Sequence, residues 1–250
     1  MGKTSWSGPL VSGAGFNSPG ALEFLDDFIG AYTTLAVPWP AAATVGANWA
    51  QLITGAAPPT VTALADGAGG QAVLALTATS EAQQAGLAHL NQRNFLITNG
   101  GEFIARVIIP VVPTLLAKFF VGLASDNAAN PDTVTHSVWF EFDATSLRVG
   151  VDDNIVDTNV AVPALTSAAN DVFLLRCNFD QIGNVRFYVI KNPTQYPSGR
   201  IPWNQVAQGT VLPFTATGAN ATLQPFLSAA KASGAGVGTL RVDFFYVCAN

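Results

Sequence analysis

The chain has 250 residues, of which 49% are hydrophobic and only 11% are charged, and its net charge at neutral pH is −5. An ordinary soluble domain has about 25% charged residues, so we expect neighbouring subunits to cover part of this protein's exterior. The 11 basic residues form no cluster, which disfavours nucleic-acid binding because neutralising phosphates requires concentrated positive charge.

The first 20 residues are the first predicted element. They are rich in Gly, Ser and Pro and show no hydrophobic periodicity, which predicts an extended N-terminal arm over residues 1–20. They contain no apolar segment of the kind that a signal peptide carries, so we expect no targeting to a membrane or to secretion. The remaining residues, 21–250, are predicted to form one domain.

Residues 21–93 form the least regular part of that domain. Their many Ala, Gly and Pro residues favour short strands and turns, so this region is interpreted either as part of the main body or as an additional β element. Ser80–Leu90 (SEAQQAGLAHL) is the one segment predicted to be helical, although Gly86 weakens the prediction.

From residue 94 onward, apolar and polar residues alternate with the period of two that a half-buried strand requires. Segments that favour turns, such as SDNAANPD and QIGN, separate the alternating stretches. The sequence therefore predicts an all-β fold, an antiparallel two-sheet β-sandwich. The clearest predicted strands lie within 102–109, 137–143, 171–179, 184–190 and 239–247.

The segment Phe103–Leu123 is apolar enough to be compared with a membrane span. A helix crossing a bilayer there would have to carry Arg106, Lys118 and two prolines, all of which are unfavourable in lipid. We therefore predict two buried strands joined by a turn that contains proline.

Trp139 is the aromatic residue best placed for binding. The alternation puts it on the face opposite Phe140, so it is predicted to lie outside the core. An exposed indole can stack on a sugar, but it can also anchor a protein interface, where aromatic residues are enriched. The interface is the favoured interpretation, and glycan binding is the alternative.

Glu141 and Asp143 form the nearest approach to a catalytic motif. They lie two positions apart on one strand face, a spacing compatible with the two carboxylates of a glycoside hydrolase. Sandwich glucanases place such a pair on one strand and add a further Glu shortly after it, whereas Ala144, Thr145 and Ser146 follow here. No catalytic residue is therefore predicted.

Asp152, Asp153 and Asp157 are weak candidates for calcium ligands. Three carboxylates in a turn could supply some of the six to eight oxygens that calcium needs, but the spacing of an EF-hand loop is absent. We therefore predict neither a metal site nor a cofactor.

The later strands, FIARVIIP, KFFVGLAS, HSVWFEFD, DVFLLRC, VRFYVI and LQPFLSAAKASGAGVGTLRVDFFYV, together resemble a known type of sandwich. It is the concanavalin A-like, laminin G-like sandwich of tailed-bacteriophage virion proteins, and the resemblance implies a jelly-roll arrangement of the strands. The opening KTSWSGPLVSGAGF is similar to the N-terminal arm of phage head or decoration proteins. The resemblance covers residues 94–248 and the first 20 residues.

The resemblance implies a non-enzymatic virion protein, either a capsid decoration or cement subunit or a head-fibre protein. Such a subunit would be made in the host cytoplasm and would lie on the capsid surface as a homo-oligomer, with a trimer favoured. Its partners would be the major capsid protein or other virion proteins, with no membrane or nucleic acid involved. The arm residues expected to bind the partner are Trp6, Pro9, Leu10 and Phe16.

Two other functions remain open. One is a carbohydrate-binding module that recognises a receptor from a virion fibre, and the other is a sandwich-type glycoside hydrolase.

Overall fold

The computed structural model describes residues 22–26, 28, 49–64, 70–155, 157–193, 204–205 and 211–249. Within these ranges the chain forms β-strands and three single-turn 3-10 helices, at Ile97–Asn99, Pro131–Thr133 and Gly218–Ala221. The strands are β1 Leu22–Asp26, β2 Ala50–Thr54, β3 Thr60–Ala63, β4 Ala72–Leu76, β5 Gln83–Ala88, β6 Phe95–Leu96, β7 Gly101–Val111, β8 Ala117–Ala124, β9 His136–Asp143, β10 Ser146–Asp153, β11 Asp157–Thr166, β12 Asp171–Phe179, β13 Asn184–Lys191, β14 Asn204–Gln205, β15 Leu212–Pro213, β16 Thr222–Lys231 and β17 Gly238–Ala249.

These strands form two sheets. In the described ranges, the first has nine strands, with the order β14-β13-β12-β7-β17-β4-β3, β1 added beside β17 and β15 beside β13. The second has eight, with the order β11-β10-β9-β8-β16-β5-β2 and β6 beside β16. The neighbouring strands run antiparallel. The predicted all-β, two-sheet antiparallel sandwich is thus confirmed, and strands from within residues 21–93 belong to both sheets.

The core lies between the sheets and is filled by aromatic rings from both. Phe103 of β7 stacks on Phe245 of β17 with ring centroids 5.8 Å apart, and it meets Phe140 of the opposite sheet edge-on at 6.0 Å. Phe140 also contacts Phe187 of β13 at 5.1 Å. The inward residues of the alternating pattern build this core, and the predicted strand faces are the observed ones except near the end of β17. There a register irregularity between Val242 and Phe244 puts Phe245 in the core, where alternation had predicted Phe244.

The apolar segment Phe103–Leu123 forms β7, a turn and β8, as predicted. The turn holds Leu115 and Leu116 at positive φ and leaves both side chains about two thirds exposed, at 71% and 67%. In the described part of the chain, no helix is long and apolar enough to cross a membrane.

The helix predicted at Ser80–Leu90 was wrong, because residues 83–88 form strand β5. This strand lies inside the eight-stranded sheet, between β2 and β16, and all six of its residues are buried. With both faces covered, the strand needs no polar residues on alternate positions, so its sequence lacks the period of two.

The outer faces of the two sheets differ in character. On the nine-stranded sheet, cross-strand ion pairs join Arg106 to Asp243 at 2.5 Å and Arg176 to Glu102 at 2.7 Å. The outer face of the eight-stranded sheet is largely apolar at its centre. Buried apolar residues on this face form a cluster separate from the core, which we call the outer cluster. Its buried members are Leu52, Ala88, Phe120, Ala124, Val134, Trp139 and Phe226.

A buried lysine links two loops near the end of strand β16. Lys231, at the end of β16, is only 3% exposed. Its ammonium donates to the carbonyl oxygens of Thr77 at 2.7 Å, Thr79 at 2.6 Å and Gly236 at 2.9 Å. Burial lowers the pKa of Lys231, while the charge of Glu81 opposes that shift. The side chain therefore connects the loop after β4 to the loop before β17.

Candidate functional site

A pocket of about 240 Å³ lies on the outer face of the eight-stranded sheet, beside the outer cluster. Strands β8 to β11 supply its walls, together with the segment before β9. We call it the outer pocket. Its polar and aromatic lining consists of Lys118, Asp132, Ser137, Trp139, Glu141, Asp152, Asp157 and Asn159.

Strand β9 provides the centre of the outer pocket. Its inward residues Val138 and Phe140 are fully buried in the core, so the intervening Ser137, Trp139 and Glu141 must point outward. The register then places Trp139 between two glycines, Gly122 of β8 and Gly150 of β10. Atoms of Trp139 occupy the place that a side chain would take at either glycine, and Gly150 also lines the pocket.

Trp139 lies on the outer face, as predicted, but it is not the exposed platform that its position suggested. It is 6% exposed, with Phe120 packed edge-on at 4.9 Å and Phe226 tilted at 6.1 Å. Phe120 and Phe226 are themselves buried, so the indole is a member of the buried outer cluster. Only the part of Trp139 that borders the pocket is left to contact a ligand.

A network of charged and polar groups holds Glu141 in place. Its side chain is 2% exposed, Lys118 Nζ lies 3.3 Å from Oε1, and Asn159 Nδ2 donates to Oε2 at 2.5 Å. Lys118 also pairs with Asp132 at 3.0 Å, and Arg148 Nε donates to Asn159 Oδ1 at 2.7 Å. Glu141 is therefore a paired carboxylate with a fixed orientation.

The charge state of Lys118 follows from its neighbours. Burial favours the neutral amine, but the carboxylates of Glu141 and Asp132 outweigh it, so the pKa of Lys118 is raised. The ammonium is consequently charged at neutral pH and already shared between two acids. Asp143, which the sequence paired with Glu141, lies on the same face but does not line the pocket.

The other end of the outer pocket is acidic. Asp152 of β10 stands in register between Ser137 of β9 and Asp157 of β11. Burial raises the pKa of Asp152, and repulsion from the nearby charge of Asp157 adds to this effect. Ser137 is 1% exposed, and its hydroxyl oxygen has no hydrogen-bond partner among the residues that the structure describes.

The three weak calcium candidates are divided between the two faces of the sheet. Asp152 and Asp157 line the pocket, whereas Asp153 is buried on the opposite side and accepts hydrogen bonds from the backbone N–H groups of Thr215 at 2.9 Å and Ile155 at 3.0 Å. The structure therefore does not bring the three carboxylates together. Over the described ranges, no group of three or more His, Cys, Asp or Glu residues is arranged to hold a metal ion.

The predicted partner-binding residues Trp6, Pro9, Leu10 and Phe16 lie outside the described residues, so the docking arm stays a prediction.

Sequence reasoning identified Trp139, Glu141, Asp152 and Asp157 but missed Ser137, Lys118 and Asn159. Lys118 and Asn159 meet Glu141 from other strands, so sequence spacing does not reveal them. Ser137 alternates with Trp139 and Glu141 on β9, so the period of two was a local signal for it. Gly150 is a second local signal for the pocket, since a glycine inside a strand often marks a close approach.

No protein-family model and no curated protein matches the sequence. Solved structures do match the fold. A protein of unknown function from Shewanella oneidensis MR-1 superposes with a TM-score of 0.57 at 11% identity, over 92% of this chain and 86% of that one. Peanut lectin superposes with a TM-score of 0.52 at 13% identity, over 92% and 97%. At these identities the likeness shows the fold alone, a sandwich of two antiparallel sheets like that of peanut lectin.

Carbohydrate-active enzymes also occur among the matching structures. The carbohydrate esterase of Shiga toxin-encoding bacteriophage phi24B has a TM-score of 0.47 and 16% identity, over 87% of this chain and 99% of that one. Alginate lyase A1-II′ has a TM-score of 0.47 and 14% identity, over 76% and 83%. The prediction that this protein is not an enzyme was therefore wrong to exclude catalysis, since enzymes are found among the structures that it matches.

Proposed function

We propose that the protein binds glycans in the outer pocket. The observation that carries this proposal is the juxtaposition of the indole of Trp139 with polar side chains held in fixed orientations on the same sheet face. A sugar presents an apolar C–H face and a rim of hydroxyls. It therefore suits a site that offers a ring beside hydrogen-bond donors and acceptors.

The orientation of the polar groups supports the proposal. Asn159 is locked between Arg148 and Glu141, so it is already ordered before a ligand arrives. Ordering side chains on binding costs free energy, and a preorganised site avoids that cost. The pocket volume of about 240 Å³ is below the usual range for drug-sized ligands, about 300–1,000 Å³. We therefore expect a short glycan segment or a chain end to bind.

Asn159→Ala tests the proposal on a glycan array followed by calorimetry. Asn159 is exposed, so the variant is expected to fold, and it loses the donor that holds Glu141. We expect affinity for any glycan that binds to fall at least about tenfold, equivalent to 1.4 kcal/mol.

The matched control is Asn178→Ala, because Asn178 donates to Glu102 on the outer face of the opposite sheet. The control should bind like the wild type. Equal loss in both variants, or no glycan bound by the wild type, would contradict the proposal.

A second candidate function is that of a virion subunit, in which the sandwich decorates a capsid or forms part of a head fibre. Three exposed apolar side chains on neighbouring loops favour an assembly contact. Ile155, Ile182 and Val211 are 77%, 84% and 40% exposed on three loops. Hydrogen bonds from Thr215 to Asp153 and from Phe214 to Gly183 hold these loops side by side.

Particle binding tests the second candidate. The double variant Ile155→Ser with Ile182→Ser should lose association with purified phage particles, or with its own copies in light scattering. The exposed positions make the substitutions compatible with folding. If the double variant associates as well as the wild type, these loops are not part of the proposed contact.

A further inference from the structure

Three polar side chains from neighbouring strands line the acidic end of the outer pocket. Ser137, Asp152 and Asp157 lie side by side on β9, β10 and β11, with Asp152 in register with both of the others. Neighbouring strands are about 4.8 Å apart, so the three side chains converge on one small region of the pocket wall.

The hydroxyl of Ser137 is the first indication of a ligand there. It is buried, it lines the pocket, and no described residue hydrogen-bonds to its oxygen. Buried polar atoms without a partner are rare in folded proteins, because a lost hydrogen bond to water is normally replaced. A ligand group entering this end of the pocket would supply the missing partner.

The charge of the pocket is the second indication. Four carboxylates line it, from Asp132, Glu141, Asp152 and Asp157, against the single ammonium of Lys118. Lys118 pairs with the first two. Among the described residues, neither Asp152 nor Asp157 forms a salt bridge. Asp152 accepts a hydrogen bond from the backbone N–H of Asn154 at 2.8 Å and has His136 nearby, which partly offsets its charge. This end of the pocket therefore carries two acidic groups that no salt bridge neutralises.

We infer that this end of the outer pocket selects an amino sugar, with Asp152 and Asp157 pairing the protonated amino group and Ser137 bonding an adjacent hydroxyl. The inference deepens the proposed function and rests on it. A uronate would bring its own carboxylate against two others, and this repulsion disfavours acidic glycans. A neutral sugar would fit, but it would leave the acidic pair without a counter-charge.

The experiment compares four oligosaccharides of equal length by calorimetry: a β-1,4-linked glucosamine tetramer, its N-acetylated form, a neutral glucose tetramer and a mannuronate tetramer. We expect the glucosamine tetramer to bind at least tenfold more tightly than the N-acetylated and neutral ones, and the mannuronate tetramer not to bind. Asp157→Asn, at an exposed position, should remove most of this preference.

The control variant is Asp126→Asn, which removes an exposed carboxylate that does not line the pocket. It should keep the preference for glucosamine. Equal affinity for charged and neutral tetramers, or tighter binding of mannuronate, would overturn the inference and leave glycan binding intact. If no tetramer binds and the array shows no glycan bound, the proposed function fails and the inference fails with it.

Discussion

The indole of Trp139 reaches across to Gly150 on the neighbouring strand, so a Cβ atom at residue 150 would lie 2.8 Å from the indole Nε1. Real Cβ atoms essentially never approach this closely. The indole can therefore occupy its observed position only because residue 150 has no side chain.

Gly150→Ala should push the indole out of its place and into the pocket. We expect a destabilisation of about 1–3 kcal/mol, the usual range for overpacking a filled site, together with weaker glycan binding. Urea denaturation and calorimetry measure the two effects. Ser146→Ala, on the same face of β10 but exposed, should change neither. Wild-type stability in Gly150→Ala would show that the contact is not tight.

Glu141→Gln should destabilise the protein more than Glu102→Gln. Both residues belong to an ion pair on an outer sheet face, but the Glu141 side chain is 2% exposed and the Glu102 side chain is 19% exposed. We expect a loss of about 2 kcal/mol for Glu141→Gln and under about 1 kcal/mol for Glu102→Gln, as measured by urea denaturation. Equal losses would show that burial of Glu141 adds nothing to its pairing.

Asp152→Asn should raise the melting temperature at pH 7. Burial and the charge of Asp157 raise the pKa of Asp152 in the folded protein, so ionisation of this carboxyl opposes folding. The penalty is absent below the carboxyl's unfolded pKa of 3.8 and grows as the pH rises through the folded value. The difference in melting temperature between variant and wild type should therefore vanish near pH 3. A variant less stable at pH 7 would contradict this sign.

His89 should make the protein less stable in mild acid. Burial lowers its pKa from 6.5 to about 4, and its ring packs edge-on against Phe24 at 4.8 Å and Trp49 at 5.1 Å. Between these pH values the unfolded chain binds a proton that the folded protein does not. Stability is therefore lost as the pH falls, by up to about 3 kcal/mol.

His89→Phe keeps an aromatic ring and removes this proton. The free energy of unfolding of wild type and variant should be compared at pH 7.5 and pH 4.5, since other groups titrate equally in both proteins. The wild type should lose more stability than the variant over this interval. Parallel losses would mean that His89 is protonated in the folded state.

The sequence predicted the parts of the fold that depend on one strand at a time. Alternation assigned Phe103 and Phe140 to the core and Trp139 to the outer face, and all three lie there. It failed at Gln83–Ala88, where both faces are covered and alternation disappears.

The candidate site was predictable only in part, for the same reason. Asp152 and Asp157 were visible as an acidic segment, but Lys118 and Asn159 reach Glu141 from two other strands. Their meeting depends on the cross-strand register, which the sequence of a single strand does not contain. The packing of Trp139 against Phe120 and Phe226 depends on the same register.

Because Lys231 is buried, its reactivity can report on local opening of the sandwich. An acylating reagent reacts with a free amine, and the amine of Lys231 is surrounded by the three carbonyl oxygens that hold it. Its labelling rate should therefore follow the separation of the two loops that it joins. Lys118 and Lys191, whose side chains are 26% and 28% exposed, should label without that separation. Mass spectrometry of the labelling at Lys231 would therefore measure how often these two loops separate.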